Sequence, residues 1–338
     1  MKDEKIKKLL NASKNNGPIR IGFFLIPNFS MLAFASAIEP LRAANRISEK
    51  ELFSWYVSSK DGNSVKASNE IIVNTDGEHN KLFECKLVFV ISGIDIKEHT
   101  DVYSLNIFRK LDRHGVIIGG INTGTYLLAK SGLLNYKRCT IHWENNYGLV
   151  EEFPMIEVTN ELFEIDDMII TCSGGTASID LILYIVTIIY GNKLATEISD
   201  QMIHDRIRES TDKQRMRLRS RLGISHPKLL SAVNLMENTI EEPLSQIEIS
   251  KYAKLSNRQL ERLFKKYLNS TPTKYYLNLR LSKARDLIRQ TSMSILSIAL
   301  ACGFVSSSHF SKCYKEYFNK SPREERLVNQ YLISAKSA

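Results

Sequence analysis

The sequence predicts an α/β N-terminal domain, with a mostly parallel sheet and helices on both faces, followed by an all-α C-terminal domain with two helix-turn-helix motifs. Three observations carry this expectation. Short apolar runs alternate with helical spacing through the first 190 residues, no strand signal follows Pro227, and a helical segment of the last third recurs 49 to 50 positions later.

In chain order, Ile21 to Ile26, Leu87 to Ile91, Val116 to Ile121 and Met168 to Thr171 are continuous apolar runs bounded by Pro, Gly or Asp, as strands buried on both faces should be. Between them, Met31 to Asn45, Leu105 to Arg113, Thr125 to Lys130 and Ile179 to Tyr190 have helical spacing. Strands alternating with helices give a parallel sheet covered on both sides. From Asn192 to Leu222 the chain turns polar and helical. It ends in Arg215, Arg217, Arg219 and Arg221, and then meets the breakers of "GISHPK". The predicted division is a domain over 18–190, a helical linker over 191–228 and a second domain over 229–330.

Two domains suit a chain of 338 residues, and 43% hydrophobic content can pack both. The net charge of +9 is uneven: from Ser225 onward there are 18 Lys and Arg against 9 Asp and Glu, and the preceding residues balance. A neutral large domain joined to a small basic one points to a polyanionic partner, most often nucleic acid; a solvated basic surface would have the same composition. The opening "MKDEKIKKLLNASKNNG" is charged and has no apolar stretch of the kind a signal peptide needs, so a cytoplasmic protein is expected. The longest apolar run, Leu181 to Tyr190, is too short for a membrane span. Five scattered cysteines, Cys85, Cys139, Cys172, Cys302 and Cys313, without CxxC spacing, fit neither a disulfide framework nor a zinc site. No metal or other cofactor is expected.

The repeat pairs "EISKYAKLSNRQLERLFKKYLNSTP" with "SIALACGFVSSSHFSKCYKEYFNKSP". Ile249, Ala253 and Leu255 recur 49 positions later as Ile298, Cys302 and Phe304, whereas Leu260, Phe264, Tyr267, Leu268 and Pro272 recur 50 later. Each copy reads as a short helix, a tight turn and a second helix with apolar positions at i, i+3 and i+4, over 244–268 and 294–318. The polar face of the second helix carries Asn257, Arg258, Glu261, Arg262, Lys265 and Lys266 in the first copy, and Ser307, Ser308, Ser311, Lys312 and Lys315 in the second. Arginine reads guanine bidentately, while serine and lysine mostly position the backbone, so the first copy should discriminate more between bases. The helix from Tyr275 to Gln290 puts Leu279, Leu281, Ala284, Leu287 and Ile288 on one stripe and Arg280, Lys283, Arg285 and Arg289 outside it. Such a rigid connector would let both second helices enter successive major-groove segments of double-stranded DNA.

On "LSNRQLERLFKKYL", "RLSKARDLIRQTSMSILSIALACGFVSSSHFSKCYKEYF" and "KSPREER", residues 229–326 resemble the AraC/XylS family DNA-binding domain. The resemblance implies that Arg258, Glu261, Arg262, Ser307, Ser308, Ser311 and Lys312 face DNA. The first copy departs from the pattern twice, with Ser250 for the usual alanine and Lys254 where the turn often has glycine. Residues 18 to 190 resemble the class I glutamine-amidotransferase-like superfamily in its PfpI-type branch, on "RIGFFLIPNFSMLAFASAIEPLRAANR", "GGINTGTYLLAKSGLL", "TIHWE" and "TCSGGTASIDL". Together the halves resemble the GlxA-type transcriptional regulators. This likeness implies an activator rather than a repressor and a metabolite effector such as an amino acid or a betaine-like amine; a homodimer is expected because one basic domain offers a modest footprint that paired half-sites multiply, and RNA polymerase is a further candidate partner.

Enzymes of the PfpI branch carry a cysteine at a strand-to-helix elbow, a histidine after it and a glutamate following the first strand. Carried over by motif, these positions hold Asn122, Thr123 and Ser30, none of which can do the chemistry. A sensor without catalysis is expected, with Ser30, Asn122, Thr123, Gly124, His142, Trp143 and Glu144 around the ligand. An elbow of this kind ends a strand at a helix N-terminus, which suits a carboxylate, and Trp143 beside Glu144 suits an amine. Asn and Thr also cap helices, and a lone Trp or His is as often a core residue. Two rival expectations remain: a hydrolase or deglycase using Cys172 with His142 as base, fused to a DNA-targeting module, and a constitutive DNA-binding protein whose larger domain is a dimerisation scaffold.

Overall fold

The computed structural model describes residues 4–14, 17–215 and 218–327, which form two units, Met1–Gln214 and Arg215–Ala338. In the first unit the strands are β1 (Ile19–Leu25), β2 (Phe53–Ser58), β3 (Val65–Lys66), β4 (Ile72–Val73), β5 (Leu87–Ile91), β6 (Ile117–Ile121), β7 (Arg138–Thr140), β8 (Glu157–Thr159), β9 (Phe163–Asp166) and β10 (Ile169–Cys172). The helices are α1 (Glu4–Lys14), α2 (Met31–Ser48), α3 (Ile96–His99), α4 (Val102–Arg113), α5 (Gly124–Lys130), α6 (Asn146–Glu152), α7 (Ala177–Tyr190) and α8 (Asn192–Gln201).

The main sheet runs β2-β1-β5-β6-β10-β9, parallel throughout except that β9 is antiparallel to β10. Strand pleating explains the unbroken apolar runs. Phe23, Leu25, Phe89 and Ile91 enter one core with residues of α2, α7 and α8, while Phe24, Val88 and Val90 enter another with residues of α4 and α5. The expected mostly parallel sheet with a core on each face is what forms.

The expected helical linker over 191–228 requires correction. Ala195 and Ile198 of α8 are fully buried in the first core with α2 and α7, so this helix completes the α/β unit. Residues 202–215 are not helical, and the units divide between Gln214 and Arg215. Leu218, Leu222 and Ile224 already pack with the second unit. Arg217 and residues 328–330 of the expected second domain lie outside the described residues.

The second unit is helical throughout its described residues: α9 (Leu218–Leu222), α10 (Pro227–Asn238), α11 (Gln246–Tyr252), α12 (Asn257–Leu268), α13 (Pro272–Gln290), α14 (Ile295–Ala301) and α15 (Ser307–Phe318). It has two cores. Leu229, Val233, Ile249, Leu260, Phe264 and Tyr276 fill one, and Leu281, Leu287, Ile298, Phe304, Phe310 and Tyr314 fill the other. The connector α13 therefore serves each helix-turn-helix with a different half and a different face. That arrangement corrects the expectation of a single stripe with four cations outside it. Arg280 donates to the carbonyls of Cys302 and Gly303 at 2.8 Å and stacks over Phe304. Lys283 is buried and pairs with Glu241, and Arg285 and Arg289 converge on the buried Glu325.

Candidate functional site

The first helix-turn-helix is built by capping. The hydroxyls of Ser245 and Ser256 accept from the backbone N–H groups of Glu248 and Gln259, whose side chains return the bond in two complete capping boxes. Leu260, Leu263 and Phe264 bury one face of α12 and leave Arg258, Glu261, Arg262, Lys265 and Lys266 exposed on the other. Asn257 is also exposed, but its Oδ1 accepts from the hydroxyl of Ser250 at 2.7 Å, which ties α11 to α12. Ser250, the departure from alanine, is thus used inside the motif, its one hydroxyl proton shared between Asn257 and the Ile247 carbonyl at 2.9 Å. Glu261 accepts from Gln246 at 2.9 Å.

In the second copy the Ser306 hydroxyl caps α15, Phe310 and Tyr314 are buried, and Ser308, Lys312 and Lys315 are exposed. Ser307 and Ser311 are half-buried. One residue missed in the sequence is His309, exposed on α15 with its Nε2 3.4 Å from the Cys313 sulfur. Its weak signal was that it sits between two expected contact serines. Arg258, Arg262, Lys265, Lys266, Lys312 and Lys315 make no ion pair among the described residues, in contrast to Lys283, Arg285 and Arg289 of α13, which do. The exposed faces of α12 and α15 therefore carry more basic than acidic side chains, and those cations are not drawn into ion pairs among the described residues.

In the first unit, β6 ends in a sharp elbow. Asn122 sits at φ +61°, in the left-handed region, and its N–H donates to the Cys172 carbonyl at 2.9 Å. Gly174 comes so close that a Cβ on it would lie 2.7 Å from the Cβ of Asn122. Several expected ligand groups are already committed. Thr123 is 3% exposed and its hydroxyl donates to the Gly93 carbonyl at 2.6 Å. Gly124 is buried against the carbonyl of Val90, and the hydroxyl of Ser30 caps α2 by accepting from Ala33 N–H at 3.3 Å. With seven residues, α5 adds only a small dipole to the turn.

The segment after β7 keeps more freedom. His142 and Trp143 are half-buried with their rings 5.7 Å apart, and Glu144 is exposed, 3.7 Å from His142 Nδ1. Burial holds the His142 imidazole below its usual pKa, against a smaller opposing pull from Glu144. The hydroxyl of Thr125, in the first turn of α5, donates to the Thr140 carbonyl at 2.9 Å and ties this segment to the elbow. Asn28 and His99, which the sequence did not single out, lie 3.5 Å apart beside the loop that carries Ser30. Cys172 is fully buried, and burial pushes its thiol up to about 12, with its sulfur accepting from Gly174 N–H at 3.5 Å. A thiol so placed is not a thiolate at neutral pH.

A family model described as a helix-turn-helix domain matches residues 249–327. The HTH-type transcriptional regulator CdhR of Pseudomonas aeruginosa is 45% identical over 306 residues, covering 90% of this chain and 91% of that one. The HTH-type transcriptional regulator GlxA of Rhizobium meliloti is 36% identical over 312 residues, covering 92% and 96%. Among solved structures, that of an AraC family transcriptional regulator from Pseudomonas putida covers 55% of this chain and 100% of its own, at 25% identity and a TM-score of 0.50. With an α/β unit, a duplicated helix-turn-helix and likeness over nearly the whole length, the chain belongs to the GlxA-type HTH transcriptional regulators.

Proposed function

We propose that this DNA-binding regulator is ligand-responsive: its α/β unit takes a small zwitterionic metabolite, an amino acid or betaine-like amine, beside Asn122 and does not turn it over. The observation that carries the reading is the elbow itself. A non-glycine residue is held in the left-handed region at the end of a central strand, with Gly174 packed against it, although the residue is not a nucleophile. Asparagine adopts this region more readily than most residues, so the sharp turn is kept without a nucleophile, and the carboxyl ends of the strands in such a sheet are where ligands bind. Asn122 offers a neutral amide, and His142, Trp143 and Glu144 supply an aromatic and acidic wall. Thr123, Gly124 and Ser30 shape the site and leave the ligand to others. The buried, protonated Cys172 weighs against the hydrolase rival.

On the DNA side, Arg258, Arg262, Lys265 and Lys266 of α12 and Ser308, Lys312 and Lys315 of α15 meet the major groove, with Asn257, Glu261, Ser307 and Ser311 lining the same faces. The regulator acts in the cytoplasm as a homodimer and activates transcription through contact with RNA polymerase. Paired half-sites then raise the affinity of a modest single footprint.

A thermal-shift screen of the full chain against amino acids, betaines and related amines tests the sensor. A ligand at a hundred times its Kd stabilises by about 2.7 kcal/mol. Asn122→Leu and Trp143→Ala should lose that shift. If no such compound moves the wild-type midpoint, the scaffold reading replaces this one.

A further inference from the structure

Residues 203–214 lie outside regular helix and strand and run from the end of α8 to the last residue of the first unit. This strap is anchored at two places, and both are walls of the elbow. The first anchor is Asp180, fully buried in the first turn of α7. Its carboxylate accepts from the Arg208 backbone N–H at 2.7 Å and from Arg208 Nε and Nη2 at 2.9 and 2.6 Å, with His204 Nε2 at 2.9 Å. Arg208 Nη2 also donates to the hydroxyl of Thr176 at 2.9 Å. Thr176 closes the loop whose Gly174 rests on Asn122.

The second anchor is Gln214. Its side-chain N–H groups face the Thr140 hydroxyl at 2.9 Å and the carbonyls of Ile141 and Glu161 at 3.0 Å. Thr140 is the residue whose carbonyl holds Thr125 of α5, and Ile141 precedes His142. Between the anchors, Leu162 N–H donates to the Ser210 carbonyl, and the Leu162 carbonyl accepts from Ser173 N–H, each at 2.9 Å.

The seat is held against local cost. Ile203, a β-branched residue, sits at φ +55° and is 93% exposed. The buried Oε1 of Gln214 finds no donor among the described residues. A segment held in place by distant anchors against such costs lets go when an anchor moves.

Resting on the ligand-responsive reading above, we infer that Arg208 and Gln214 are the positioning residues that couple the elbow to the DNA-binding unit. A ligand that shifts the 173–176 loop or the 140–142 segment re-seats the strap, and with it the chain that continues at Arg215.

The test uses the full chain, without metabolite, on a duplex selected by the wild type from a random pool. Gln214→Leu removes the amide at nearly constant volume, and Arg208→Lys keeps a charge on Asp180 but loses the fork. Tyr190→Phe, which removes a bond to the Leu52 carbonyl elsewhere in the unit, serves as the control. Each strap variant should change duplex affinity at least about fivefold while the control does not, and adding Asn122→Leu to Gln214→Leu should change it no further. Affinities within twofold of wild type for both strap variants overturn the inference, as does a further loss or gain of more than twofold when Asn122→Leu is added to Gln214→Leu. Failure of the ligand reading is seen elsewhere, as the absence of any metabolite-induced thermal shift in the wild type.

Discussion

Lys254 and Gly303 hold the same place in the two copies, at the turn after the first helix, and both are left-handed, at φ +53° and +73°. The second copy needs its glycine, because a Cβ there would lie 2.6 Å from the Ile240 carbonyl oxygen. Gly303→Ala should therefore destabilise the second unit by about 2 to 4 kcal/mol, whereas Lys254→Gly should stabilise it by about 1 kcal/mol, both read from thermal melts. Glu325 makes a second residue-level prediction. Burial raises its pKa, but hydrogen bonds from Arg289 and Arg285 outweigh that and hold it below the usual carboxylate range. Its contribution is complete above the unfolded carboxylate pKa and is lost as pH falls through the depressed value in the folded state. The melting midpoint of the second unit should fall on acidification below about pH 4, and Glu325→Gln should remove that part of the pH dependence. For DNA, Arg262→Ala should cost about 1 to 3 kcal/mol on the preferred duplex and relax base choice, while Lys312→Ala weakens all sequences evenly. Equal losses for Arg262→Ala on selected and random duplex would contradict base reading by α12.

At the scale of elements, the helix-turn-helix pairs were legible because their apolar positions repeat at helical spacing and serines stand at the N-caps Ser245, Ser256, Ser294 and Ser306. The buried strands β1, β5, β6 and β10 were legible as apolar runs, while β2 and β9 were not. Both are edge strands of mixed polarity, "FSWYVS" and "FEID", and lack the continuous run that double burial produces. The cations of α13 were misjudged because a single helical stripe cannot show that two cores take two different faces. The strap was illegible for a related reason. Arg208, Gln214 and Asp180 are ordinary polar residues in sequence, and only the fold brings them together across 28 or more positions. The elbow's shape could be read in "GGINTGTYLLA", but the commitment of Thr123 to Gly93 depends on a partner 30 residues away.

For the molecule as a whole, the confinement of the +9 charge to the last third matches the placement of the DNA-binding unit, although Lys283, Arg285 and Arg289 are spent on internal ion pairs and Arg280 on capping α14. The salt dependence of duplex binding should thus report the exposed cations of α12 and α15, and Lys312→Ala should lower the slope of log affinity against log salt by about one. In the function proposed above, a metabolite at the elbow governs how those cations meet DNA. The most direct test is duplex affinity of the full chain with and without saturating glycine betaine, carnitine or arginine. Affinity should change at least about fivefold with one of them, and not in Asn122→Leu. Affinity unchanged by all three, or changed equally in the variant, would contradict that function.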